Sequence, residues 1–236
     1  MSARLKSTPP TGRRRFAGPR ADDPRVLRTR AAVVDAARTL FLQHGYAGTT
    51  MDEIAAVAGL TKRTVYNNYA DKDALFAQII TEVIAFAEDF ARRLPDDFTT
   101  KVLTTSTVRA ALDDVGRRLA LGIVRAEVVA LRRLLISEAR AFPALAKDYF
   151  ERAPGQVIDA LASVFTHLNR IGVLRVTNAR CAAAQFAYLV AGEPLDRAML
   201  VGTIPGREHI LSCAREGVET FVARYAVTAG RRTRKS

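Results

Sequence analysis

The chain has 236 residues, 49% of them apolar, enough to bury a core in one large domain or two unequal ones. No stretch reaches the roughly 18–20 uninterrupted apolar residues of a membrane-spanning helix, and the basic N-terminus lacks the apolar centre of a secretory signal, so a cytoplasmic protein is expected. The formal net charge of +12 is concentrated at the ends: residues 1–30 hold nine Lys/Arg against Asp22 and Asp23, residues 231–236 hold four more, and 31–230 are nearly balanced at 23 basic to 22 acidic.

Basic tails suit a polyanion, because each phosphate neutralised releases counterion, although solubility alone also accounts for such tails. Charge by itself does not separate nucleic acid from an anionic membrane surface. Cys181 and Cys213 stand far apart without a partner motif, which reads as two buried free thiols in a reducing compartment rather than a disulfide.

Residues 1–24, rich in Pro, Gly and Arg, read as a flexible basic arm, and 227–236 as a basic tail. Between them the chain reads as helix almost throughout, so the expected class is all-α. The first helix is expected from about Arg25 to His44, with Val33, Ala37, Leu40 and Phe41 on one buried face and Gly45 as its stop. Thr50 and Glu53 have the spacing of a capping box that opens a two-turn helix, with Met51, Ile54 and Val57 sharing a face and Gly59 closing it. Thr61 is the next N-cap, and Leu60 and Val65 occupy the positions of a hydrophobic staple. Val65 and Tyr69 then point inward, while Arg63 and Asn67 point outward between Thr64 and Tyr66. Asp71 starts a long helix carrying Phe76, Ile79, Ile80, Val83, Ala87, Phe90 and Leu94, which Pro95 ends.

Beyond Pro95 the pattern predicts helices near 104–121, 123–141, 144–151, 154–170, 178–191 and 206–226. Breaks are expected at Gly122, Pro143, Pro154, Gly172, the Gly-Glu-Pro at 192–194 and Pro205. The segment 172–176, Gly-Val-Leu-Arg-Val, imitates a strand, but the sequence offers it no second strand.

Two short helices joined by a tight turn, the second with a polar, basic outer face, form a helix-turn-helix. The major groove admits one helix. Arg and Asn bond guanine and adenine edges there, and Thr methyls pack on thymine. The competing interpretation is a helical hairpin with a merely solvated face.

Residues 36–80, "AARTLFLQHGYAGTTMDEIAAVAGLTKRTVYNNYADKDALFAQII", closely resemble the N-terminal domain of TetR-type transcriptional regulators. The likeness lies in the Phe41–Gly45–Tyr46 corner, the Thr49–Thr50 helix start, the "IAAVAGLTKRTVY" hairpin and "DKDALF". It implies a DNA-binding head at 25–70 and a helical ligand-binding and dimerisation domain at 71–226. It also implies a homodimer on a palindromic duplex operator, acting as a repressor released by an unidentified small-molecule effector. Position by position it makes Lys62, Arg63, Thr64, Tyr66 and Asn67 candidates for base and adjacent phosphate contact, with Thr50, Thr61, Asn68, Tyr69 and Lys72 holding the DNA backbone. Asn68 departs from the pattern, where His or an aromatic is common. Residues 136–154 and 174–192 resemble, more loosely, the ligand domain of an AefR-like subgroup.

The last two helices are the dimer candidates, through Ala184, Tyr188, Ile210, Ala214, Val218, Phe221, Val222 and Tyr225; intramolecular core explains the same spacing. For the pocket the candidates are Phe142, Tyr149, Phe150, Phe165 and His167, with Arg132, Arg133 and Glu138 as polar lining. His44, His167 and His209 are scattered, so neither metal nor cofactor is expected. An enzyme is disfavoured, as no nucleophile–base pair or phosphate loop appears. The remaining alternative is a polybasic helical protein binding nucleic acid without sequence preference.

Overall fold

The computed structural model describes residues 23–99, 103–104 and 107–227. Residues 1–22 of the expected arm (1–24) and 228–236 of the expected tail (227–236) lie outside the described residues, while Asp23 and Pro24 belong to the start of the first helix instead. Helix α1 (Pro24–His44) starts with proline at its first position and Asp23 as N-cap, and ends at Gly45, whose φ of 74° favours glycine. The four residues of its expected inner face are buried, joined by Val34 and Ala36.

Helix α2 (Met51–Val57) carries the capping box at Thr50 and Glu53, and α3 (Lys62–Asn68) is capped by Thr61. Val57 departs from expectation. It is exposed, and Ala55 takes the inward position beside Met51 and Ile54. Helix α4 (Lys72–Arg93) is capped by Asp71, whose carboxylate accepts from the Ala74 amide at 2.7 Å. Its 22 residues span about 33 Å. The short α5 (Asp96–Thr99) follows.

The rest is α6 (Val108–Ile123), α7 (Ala126–Glu138), α8 (Pro143–Phe150), a π-helical turn (Glu151–Gly155), α9 (Gln156–Arg170), α10 (Ala179–Val201) and α11 (Arg207–Tyr225). Three expected breaks do not break the chain. Gly122 lies inside α6. Pro154 is absorbed by the wide π turn, so α8 runs on into α9. Pro194 sits buried within α10, which continues to Val201 and ends at left-handed Gly202. A proline costs a helix one backbone bond, but burial in the core offsets the loss here. The 172–176 segment does find a partner: Leu174 forms an antiparallel bridge with Ala226, and the Arg175 amide donates to the Tyr225 carbonyl at 2.7 Å.

Two apolar clusters organise these helices. One joins α1, α2, Val65 of α3 and the first half of α4 to Leu131, Leu134 and Leu135 of α7 and Tyr149 of α8. The other fills the space between α6, α9, α10 and α11, with Phe165, Phe186 and Phe221 packed ring to ring at 4.9–5.7 Å. Helix α4 contributes to both, through Ile79 and Ile80 near its start and Ala91 near its end.

Candidate functional site

The α2–α3 hairpin holds its second helix by little apolar surface. Val65 is the one fully enclosed side chain of α3, with Leu60 and Tyr69 packed partly against the same core. Thr61, Lys62, Arg63, Tyr66 and Asn67 are exposed, and Thr64 is half-buried. Tyr66, a large ring, remains 51% exposed, which a helix used only for packing would avoid. The Lys62 ammonium pairs with Asp52 of α2 at 2.5 Å. Both partners face solvent, so the pair is weak and can yield to a phosphate.

The neighbouring candidates are more committed to the fold. Asn68 donates its side-chain amide to the Thr64 carbonyl at 2.8 Å, and the Thr61 and Thr64 hydroxyls bond each other at 2.8 Å. Lys72 donates to the Tyr46 and Thr49 carbonyls at 2.8 and 2.9 Å and lies 4.2 Å from the centre of the Tyr46 ring. It therefore clamps the α1–α2 corner to α4. Tyr69 is half-buried, and burial pushes its hydroxyl pKa up.

Tyr46 is the hub of this corner. Its hydroxyl donates to Asp73, and burial followed by that hydrogen bond pushes its pKa far up, so it remains a neutral donor. Its ring packs against Phe41, Phe76 and Phe142 at 5.6, 5.2 and 4.9 Å. Phe142, a pocket candidate from sequence, thus belongs to an aromatic knot that ties α1 and α4 to the start of α8. A charged tie runs parallel: Arg38 of α1 bonds Glu82 of α4 and lies 3.4 Å from Glu127 of α7.

A cavity of about 120 Å³ opens on the far half of α4. Its apolar wall includes Phe86 and Phe90 of α4, Tyr149, Phe150 and Pro154 around the π turn, and Ala187 and Leu195 of α10. Arg118 and Arg132 are its charged lining residues. Burial pushes the Tyr149 hydroxyl pKa up, with Arg132 partly opposing, so the phenol stays protonated. Of the sequence candidates, Tyr149, Phe150 and Arg132 line this space. Phe165 does not, being enclosed in the second core cluster, and His167 accepts from Arg170 at 3.0 Å away from it. Arg133 packs against Gly202 at the end of α10, and Glu138 lies toward the Tyr46 corner. The wall residues of α4 and α10 escaped sequence reasoning because they share helical faces with the core.

The dimer candidates need the same correction. Ile210, Ala214, Val218 and Phe221 are 0–4% exposed and enclosed within the chain's own core. Their periodicity is explained without a second copy. Ala184, Val222 and Tyr225 are half-buried, and Tyr225 donates to Gln185 at 2.5 Å. Tyr188 is 66% exposed, and Leu189, Leu200, Val201 and Ile204 are exposed as well. Neither cysteine is buried: Cys181 is exposed and Cys213 half-buried. Cys213 stands beside His209 and Glu193, a cluster that the sequence signalled only through the four-residue spacing of His209 and Cys213.

Comparison with known proteins covers both halves of the molecule. Residues 33–79 match the model of the bacterial regulatory proteins of the tetR family, and residues 110–227 match that of the AefR-like transcriptional repressor C-terminal domain. The biofilm operon icaADBC negative transcriptional regulator IcaR of Staphylococcus epidermidis is 32% identical over 65 residues, 28% of this chain and 35% of that protein. The transcriptional regulator AcrR of Shigella flexneri is 41% identical over 51 residues, 22% of this chain and 24% of that protein. The matched segments thus span about a quarter to a third of these curated relatives. Among solved structures, a TetR-family regulator from Mesorhizobium loti superposes with a TM-score of 0.73 at 27% identity, covering 87% of this chain and 100% of the other. The flavonoid-responsive regulator FrrA superposes with a TM-score of 0.63 at 30% identity, covering 86% and 99%. Head and body together identify the chain as a member of the TetR family of bacterial transcriptional regulators, with an AefR-like C-terminal domain.

Proposed function

We propose that the protein is a homodimeric repressor that sets two copies of α3 into successive major grooves of a palindromic operator and leaves it when an effector fills the α4 cavity. The observation that carries the DNA half is the exposure of Lys62, Arg63, Tyr66 and Asn67 on a helix anchored by Val65. Successive grooves lie about 34 Å apart, so the spacing of the two heads decides whether both engage. Pairing falls to the exposed part of α10 around Tyr188 and Leu189, which border one surface with Arg224 and Tyr225 of α11; Tyr188 also reaches the rim of the cavity.

The effector half rests on α4. Its first turns pack on the DNA-binding head, and its Phe86 and Phe90 wall the cavity. A space of about 120 Å³ resembles a cavity that accepts one benzene ring, roughly 150 Å³. A larger effector must spread the walls, and moving the aromatic wall of α4 tilts the head through the Tyr46 and Arg38 ties. The apolar lining with Arg118 and Arg132 favours an aromatic or lipophilic molecule bearing an acid or acceptor group. FrrA, by its name, responds to flavonoids, polyphenolic molecules compatible with such a lining.

Selection of binding sequences from a random duplex pool tests the proposal. A two-fold symmetric consensus is expected. Equal binding to scrambled duplex would instead favour a sequence-independent polybasic binder.

A further inference from the structure

Apart from the α3 surface and the cavity, one group of side chains among the described residues combines three metal-ligand chemistries. His209 and Cys213 lie one turn apart on α11, and Glu193 meets them from α10. Their donor atoms all lie within 4.8 Å of one another. Glu193 Oε2 is 2.7 Å from His209 Nε2, and Cys213 Sγ is 3.6 Å from that nitrogen and 3.9 Å from that oxygen.

A thiolate, an imidazole and a carboxylate around tetrahedral zinc stand about 3.4–3.6 Å apart, given the usual bond lengths. Both sulfur edges of that figure are nearly in place. The third opens when the Glu193–His209 hydrogen bond gives way to two bonds to the ion.

We propose that Glu193, His209 and Cys213 form a three-ligand site for a divalent transition metal of the zinc class, with its fourth position open. Sulfur and imidazole donors select such ions over magnesium or calcium. Arg197 binds the other carboxylate oxygen, Glu193 Oε1, with its Nε at 2.7 Å, which leaves Oε2 turned toward the histidine. Orientation of a ligand by an outer partner is a usual feature of metal sites. The two helices are also held at fixed spacing, because a Cβ on Gly217 of α11 would stand 2.4 Å from the Leu189 carbonyl oxygen of α10.

The cluster lies one turn from Leu189, on the side of α10 assigned above to pairing, but all three ligands come from one subunit. The test is Co2+ titration of the full-length, reduced, chelator-stripped protein, followed by the visible bands and the near-ultraviolet thiolate-to-cobalt band. The wild type should show that band and lose it to excess Zn2+. Cys213→Ser should abolish it, His209→Ala and Glu193→Gln should raise the Co2+ Kd about tenfold or more, and Cys181→Ser should change nothing. Circular dichroism checks that each variant is folded. A wild type without the band overturns the proposal, as does a band that survives Cys213→Ser or disappears with Cys181→Ser. Light scattering on the same samples reads pairing separately, so the two assignments fail independently.

Discussion

Helices α3 and α11 treat their side chains in opposite ways. Helix α3 has seven residues and encloses Val65; α11 has 19 and encloses Ile210, Ala214, Gly217, Val218 and Phe221. A short helix with one anchor leaves nearly everything else outside, so its outward residues can be named from sequence. A long helix with a full apolar stripe spends that stripe on its own chain. Whatever it offers another molecule lies on a different side. Periodicity finds the buried face, but it does not say whose atoms bury it.

The sharpest way to break this comparison is to place charge on the two sides of the α10–α11 layer. Val218→Glu or Phe221→Glu should unfold the protein, since an unpaired carboxylate in this core costs more than about 4 kcal/mol. Tyr188→Glu with Leu189→Glu should instead yield a folded monomer, seen as halved mass in light scattering with a nearly unchanged melting temperature. A Val218→Glu protein that melts like wild type and runs as a monomer would reverse the assignment.

On α3, Arg63→Ala and Tyr66→Ala should each remove about 1–3 kcal/mol of discrimination between a selected site and a scrambled one. Lys62→Ala should weaken all duplexes alike and lower the salt slope by about 1 per subunit, measured by anisotropy across a salt series. Loss of affinity without loss of discrimination in the Arg63 and Tyr66 variants would show that this face holds phosphates only.

A smaller effect is expected at the cavity. The fluorescent anion 1-anilinonaphthalene-8-sulfonate, apolar with one acid group, should bind there. Ala187→Phe should weaken it by about tenfold, or 1.4 kcal/mol, and Arg132→Met by less, with DNA affinity retained in both. Unaltered probe binding in Ala187→Phe would place the probe elsewhere.

The smallest expected change is at the start of α2, where Thr50→Ala should cost about 1 kcal/mol in thermal or urea unfolding. Hydrogen bonds from the Thr50 hydroxyl and then its amide hold the Glu53 carboxyl below the usual glutamate range. A depressed carboxylate stabilises the fold above its unfolded pKa, about 4.3, and that contribution is lost as pH falls through the folded value. The gap between wild type and Thr50→Ala should therefore narrow in acid. A gap that widens would assign the acid sensitivity to other carboxylates.

Legibility followed the range of the interactions. Thr50, Thr61 and Asp71 were readable as caps because their partners lie three residues away. Phe142 was not readable, because nothing near it in sequence announces Tyr46 and Phe76. The two assignments differ in how far apart along the chain the partners lie.

The sequence by itself determined the helical class, the capped hairpin and the polar outer side of α3, since these follow from local spacing and backbone satisfaction. Only the tertiary structure decided that α10 passes through Pro194, that Val218 and Phe221 are enclosed, that Phe86 and Ala187 wall one cavity, and that Glu193 meets His209 and Cys213. Each of these depends on which helices lie side by side. That choice is made by the summed packing of distant residues, and no single window of the chain carries it.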